Sequence, residues 1–153
     1  MIEVNGTATD IALDDTPLLY VLRNRLGLLS PRFGCGTEQC GACVVLVDGK
    51  PVYSCTTPAA AVQGKRIRTI EGLGTEAHPH PLQAALLAEQ AAQCGYCLSG
   101  ILMRAVAFLE RNPAPTEGEV RRALDEHLCR CGSHNRIVRA VLRAARAMRG
   151  DGT

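Results

Sequence analysis

Eight cysteines fall into two groups of four, and their spacing suggests chemistry before anything else in the chain does. Cys35, Cys40 and Cys43 are spaced C-x4-C-x2-C, and Cys55 follows after eleven intervening residues. This is the plant-type spacing for a [2Fe-2S] cluster. Such a site needs a loop that turns thiolates inward around a small anionic core while backbone N–H groups point at the sulfurs. Gly34, Gly36 and Gly41 supply the left-handed turns and close backbone approach that this requires. A zinc ion held by the same four cysteines is the rival reading. Zinc loops usually present paired C-x2-C knuckles, however, and Cys35 and Cys55 have no such neighbours.

The second group is Cys94-Gly-Tyr-Cys97 followed, after 31 intervening residues, by Cys129-Arg-Cys131. A C-x-x-C at the start of a helix is how thiol-disulfide oxidoreductases present an activated thiolate, and also how a chain offers two thiolates to one metal. The thiol-redox reading wants a βαβ context and no further thiols nearby. Here a helical pattern precedes the motif and a second cysteine pair follows it, which favours one metal site closed by several helix ends.

The chain of 153 residues is long enough for a core and for two small modules, and its 46% apolar and 21% charged residues are ordinary for a globular protein. No run reaches the roughly 18 apolar residues of a membrane span, so direct membrane insertion is not expected. The N-terminal MIEVNGTATD has neither the basic nor the apolar stretch of an export signal, so the expected location is the cytoplasm, with export on a signal-bearing partner as the alternative. In that compartment eight thiols argue for metal rather than disulfides. A net charge of +2, no Trp, two Phe and three Tyr offer neither a basic field nor stacking platforms, so nucleic acid is not an expected partner.

The elements that must carry these residues change character along the chain. Asn5-Gly6 and Asp48-Gly49 each sit between short alternating runs, the signal of two β-hairpins. Between them PLLYVLRNRLGLL reads as a helix capped by Asp15 or Thr16, with Pro17 at its first position and Leu18, Val21, Leu22 and Leu26 on one face. From Pro81 onward the helical period takes over. PLQAALLAEQ and LSGILMRAVAFLERN flank the C-x-x-C, Asn112-Pro113 stops the second, and Thr116 to Glu119 is a capping box opening a third helix. NRIVRAVLRAARAMRG, ending at Gly150, is the fourth. Four helices on short loops read as a bundle. The Gly- and Pro-rich EGLGTEAHPHP places a boundary near residues 72 to 80, giving units 1–75 and 76–153.

With these motifs in place, FGCGTEQCGACVVLVDGKPVYSC, QCGYCLSG and LCRCGSHNRI resemble the small iron–sulfur subunit of the molybdenum hydroxylases, the xanthine oxidase family. The likeness runs over nearly the whole chain. It implies an α+β protein with an N-terminal β-grasp domain like plant ferredoxin and a C-terminal four-helix bundle, each with one [2Fe-2S] cluster. It also implies that Cys35, Cys40, Cys43 and Cys55 hold the outer cluster, and that Cys94, Cys97, Cys129 and Cys131 hold the one nearer molybdenum. Gln93 and Cys131 would touch the pterin of the molybdopterin cofactor, which the large subunit binds. Electrons would leave through an FAD subunit or a cytochrome c subunit, and the substrate would be an aldehyde or an N-heteroaromatic ring. Where many members carry an aromatic residue this chain has His134, so no role is carried to that position.

Nothing on the chain itself offers a nucleophile and base pair or a phosphate-cradling glycine loop, so the expectation is an electron-transfer subunit without a catalytic site. A free-standing two-cluster ferredoxin and a zinc-stabilised interaction module are the alternatives. Among the other conspicuous residues, His78 and His80 are expected at the surface and His127 in helix-end packing. Arg136, Arg139, Arg143 and Arg146 are expected to form a solvated basic face, with docking on an acidic partner as the alternative. Leu98, Ile101, Leu102 and Ala105 are expected in the bundle core.

Overall fold

The structure is a computed structural model that describes residues 1–12 and 14–151. Its N-terminal part is built on the two hairpins. Asn5 and Gly6 have φ of 51° and 82°, and Asp48 and Gly49 have 49° and 75°, the left-handed pair that a two-residue turn demands. These turns set the register of β1 (Ile2–Val4) on β2 (Thr7–Thr9) and of β3 (Val44–Val47) on β4 (Lys50–Tyr53), both antiparallel. A fifth strand, β5 (Arg66–Arg68), lies between the hairpins, parallel to β1 and antiparallel to β3, so the sheet order is β2-β1-β5-β3-β4. Its Arg-Ile-Arg alternation buries only Ile67 and is too short to read as a strand from sequence.

The crossing helix is shorter than its apolar period suggests. Leu18–Tyr20 forms α1, which widens into a π-type turn over Val21–Arg25, and the Leu26 N–H reaches back to the Val21 carbonyl at 3.2 Å. Pro17 precedes the helix instead of opening it, with ψ of 134°. Backbone bonds explain the delay: the Leu18 N–H donates to Thr57 O at 2.8 Å and the Ala59 N–H to Thr16 O at 2.9 Å, holding residues 16–18 extended against the segment after Cys55. The cap is also displaced, since the Asp14 carboxylate accepts the Thr16 N–H at 2.9 Å.

The C-terminal part holds four helices: α2 (Pro81–Ala88), α3 (Leu98–Arg111), α4 (Glu117–Leu124) and α5 (His134–Arg149). Thr116 and Glu119 form the expected capping box, and Gly150 ends α5 with φ of 77°. His80 is not simply a surface residue; its Nδ1 accepts the Leu82 N–H at 3.1 Å and caps α2. The arginine row on α5 also departs from a solvated face. Arg139 and Arg143 both bind Glu89, at 3.2 and 3.4 Å, and Arg136 donates to Gln90 O, so the row ties α5 to the end of α2. No helix among the described residues is long and apolar enough to cross a membrane.

β3 joins the two parts. Val45 and Val47 pack with Leu18, Leu22 and Ile67 under the sheet, while Val44 and Leu46 on the opposite face enter the bundle core with Ile101, Ala105 and Leu109. Alternate residues of one strand therefore serve two cores, and all four are buried. Ile101, Leu102 and Ala105 are buried as expected, and Leu98 packs against them from a partly exposed position.

Candidate metal centres

The loop from Phe33 to Cys43 leads directly into β3 and presents three thiols, and Cys55 follows two residues after β4. Cys35 Sγ accepts the amide N–H groups of Thr37 at 3.4 Å and Gln39 at 3.2 Å, and Cys40 Sγ accepts that of Cys35 at 3.3 Å. Glu38, at φ 62°, lets the loop fold back on itself, and its carboxylate receives the Thr56 hydroxyl beside Cys55. Gly34 leaves room for sulfur: a Cβ there would stand 2.5 Å from Cys40 Sγ. Although burial opposes it, the N–H groups of Thr37, Gln39 and Cys40 pull the Cys35 thiol down to about 6. Burial, with the adjacent Cys55 and Cys40 thiols, pushes Cys43 up to about 12.

The second set is assembled from two turns. Cys94 and Cys97 precede α3, Cys129 and Cys131 precede α5, and all four line one small cavity beside Gln93 and Ser133. Cys94 Sγ and Cys131 Sγ are 3.4 Å apart. The Tyr96 N–H and then the Cys131 thiol lower the Cys94 pKa. Burial opposes ionisation of Cys129, but the Ser133 N–H and the Cys97 thiol lower it overall. Burial, with Cys129 beside it, pushes Cys97 up to about 12. Each set thus pairs an exposed thiol of lowered pKa, Cys35 or Cys94, with one whose pKa burial raises, the buried Cys43 or the half-buried Cys97. Soft, all-sulfur donors with amide N–H groups aimed at them suit an iron–sulfur cluster. The residues present fit that group.

A seam brings the two sets together. The Leu128 N–H, next to Cys129, donates to the Cys40 carbonyl at 3.1 Å. Ser99 Oγ, two residues after Cys97, donates to Ala42 O at 2.9 Å, and the Tyr96 hydroxyl donates to Phe33 O at 2.5 Å. The Arg32 guanidinium lies 5.1 Å from the centre of the Tyr96 ring. His127 is 2% exposed and lies against Gly41, whose φ of 74° and missing Cβ admit the ring. Arg104 Nε donates to His127 Nε2 at 3.3 Å while its Nη2 holds Glu126 at 2.7 Å. Burial first, and Arg104 second, bring His127 down to about 4, so it is neutral in the fold, and its Nδ1 has no partner among the described residues.

Residues 2–69 match the 2Fe-2S iron-sulfur cluster binding domain family, and residues 69–142 match the [2Fe-2S] binding domain family. A nicotinate dehydrogenase subunit of Pseudomonas putida is 50% identical over 97% of this chain and 95% of its own length. The alpha subunit of isoquinoline 1-oxidoreductase from Brevundimonas diminuta is 47% identical over 87% of each chain. The aldehyde oxidoreductase structure from Desulfovibrio desulfuricans superposes with a TM-score of 0.95 at 40% identity, over 99% of this chain and 17% of that much longer one. The chain belongs to the small iron–sulfur subunits of the molybdenum hydroxylases. In that role it carries two [2Fe-2S] clusters and transfers electrons within a multi-subunit enzyme whose molybdopterin lies on the large subunit.

In this iron–sulfur subunit each expected cysteine set is close-knit. Gln93 stands at the edge of the second set, where its Nε2 donates to the Cys131 carbonyl at 3.1 Å. Sequence reasoning missed the seam residues Tyr96, Ser99 and Leu128. They follow or interleave with the cysteine motifs, which is the signal that would have found them. His127 was expected in helix-end packing and does pack there, but against the other cysteine loop.

Proposed function

We propose that Cys35, Cys40, Cys43 and Cys55 hold the outer [2Fe-2S] cluster in a unit spanning 1–75, and that Cys94, Cys97, Cys129 and Cys131 hold the inner one in a unit spanning 76–153. The inner set faces the molybdopterin of the large subunit, with Gln93 and Cys131 touching its pterin. The outer set faces the acceptor, an FAD subunit or a cytochrome c subunit. Each cluster, when bound, takes up and releases one electron at a time. The protein residues do the rest. Amide N–H groups of Thr37, Gln39 and Cys35 stabilise negative charge on the outer sulfurs. Cys43 is buried and Cys97 half-buried, which limits the access of water to one thiol of each set.

The observation that carries this reading is the 3.1 Å bond from the Leu128 N–H to the Cys40 carbonyl, which leaves one hydrogen bond and one peptide unit between a cysteine of each set. Two all-sulfur sites joined so directly suit a relay better than two independent structural metals. The two curated relatives at 47% and 50% identity are named for nicotinate and isoquinoline, which favours an N-heteroaromatic substrate over an aldehyde. The test is the complex purified with its partner chains. Four irons in each copy of this chain and two distinct EPR signals on reduction are expected, with nicotinate or isoquinoline reducing the clusters faster than an aldehyde does. Zinc in place of iron, or one EPR signal, would overturn the cluster assignment. Reduction by aldehydes alone would overturn the substrate.

A further inference from the structure

We propose that Gly100 is a positioning residue that sets how closely the outer cysteine loop approaches the inner cysteine turns. Gly100 is the third residue of α3, three residues after Cys97, and is buried. Glycine is a poorer helix former than alanine, so its presence points to a requirement outside the helix. That requirement is the backbone of Gly41, between Cys40 and Cys43. A Cβ on Gly100 would fall within the Gly41 carbonyl oxygen and stand 2.7 Å from its carbon and 3.2 Å from Ala42 Cα. These are main-chain atoms of a loop gripped on both sides, so they cannot turn aside as a side chain would. Gly118, the other glycine inside a helix of the bundle, meets only the tip of Arg122 at 3.6 Å and places no such demand.

The seam bonds depend on this close approach. Ser99 Oγ to Ala42 O at 2.9 Å and the Leu128 N–H to Cys40 O at 3.1 Å both hold the same loop against the bundle. An alanine at 100 forces α3 and the loop apart and stretches both bonds. The two cysteine sets then separate, and electron transfer between sites falls steeply with separation. Gly100 touches neither set of sulfurs in this account and acts only through the Gly41 backbone. The inference rests on the proposed assignment of the eight cysteines to two clusters.

The experiment uses the complete enzyme complex carrying Gly100→Ala, with Gly118→Ala as control. Three quantities are measured: iron content per copy of this chain, the spin–spin interaction between the two reduced centres by EPR, and the rate at which the outer centre fills from substrate in a single turnover. The expected result is full iron loading, a weaker interaction and filling slowed at least several-fold. Gly118→Ala should match the wild type in all three. An iron-replete Gly100→Ala complex with wild-type interaction and filling overturns the inference alone. If that variant does not load, Ser99→Ala decides, because it removes a seam bond without adding an atom: a weaker interaction supports the inference and an unchanged one overturns it. A wild-type complex with a single iron centre would overturn the cysteine assignment and this inference with it.

Discussion

The Cys35–Cys43 loop and the turn pair around Cys94 and Cys129 perform the same task by different means. In the loop, three sulfurs sit within nine residues, and the amides that serve them come from the loop itself. In the turn pair the sulfurs come from segments 31 residues apart, and the starts of α3 and α5 bring them together. A local site is specified by its own glycines and amides. A composite site is specified by how well the helices behind it pack. The first should fail when its loop is altered, and the second when the bundle is.

The largest effects should come from Cys43 and Cys97, which also separate the two sites most cleanly. Cys43→Ser places a harder ligand in the loop set. It should cost that set its EPR signal and about half the iron, and abolish steady-state transfer to the acceptor, while substrate still reduces the inner centre in one turnover. Cys97→Ser should do the reverse, leaving an outer centre that dithionite reduces but substrate fills slowly. Iron analysis and rapid-mixing spectra of assembled variants check both. Normal filling of the outer centre in the Cys97 variant would reject the proposed order.

Next comes the joint between the regions. Gly41→Ala meets both a positive φ and the His127 ring, and should lower stability by about 3 kcal/mol, combining left-handed strain with overpacking. Thermal unfolding of the iron-loaded protein measures this, and a change within 0.5 kcal/mol, about that of an ordinary surface substitution, would show that the ring yields freely.

Within each region the thiols themselves offer a comparison. Once iron has been removed, Cys35, held near 6, should react with iodoacetamide at pH 7 well before Cys43, near 12. Cys94, with its lowered pKa, should likewise precede Cys97. Peptide mass spectrometry gives the order. As pH rises toward 9 the advantage of Cys35 should shrink little, since Cys43 remains protonated there.

The smallest effects lie at single hydrogen bonds. Gln93→Ala loses the 3.1 Å bond to the Cys131 carbonyl. If Gln93 and Cys131 touch the pterin as proposed, the variant should keep its iron yet slow reduction of the clusters by substrate. Loss of iron would make Gln93 a structural support instead. Thr116→Ala removes the cap of α4 and should cost about 1 kcal/mol, destabilising the bundle while leaving the spectrum of the loop centre unchanged.

What was legible in the sequence follows the same division. The hairpin turns, the capping box at Thr116 and the loop cysteines are all specified by residues within a few positions of one another, and all are found. β5 was not legible, because three residues with one buried side chain carry no period. The delayed start of α1 was hidden because backbone bonds to Thr57 and Ala59 override Pro17. The capping role of His80 and the pairing of Arg139 and Arg143 with Glu89 depend on where distant segments meet, which periodicity does not report. For the same reason the site cysteines were visible as two groups while the seam between them was not.

The double duty of β3 has a practical consequence for anyone cutting the chain. Severed near residue 75, the N-terminal piece would expose Val44 and Leu46 as a wet apolar stripe along a β-sheet face, and the helical piece would lose the strand that fills its core. Expressed singly, the fragments should aggregate or hold their metal loosely, and co-expression should restore a soluble pair. The protein is thus better regarded as one indivisible brick than as two tethered carriers, because both cores are built on the same strand.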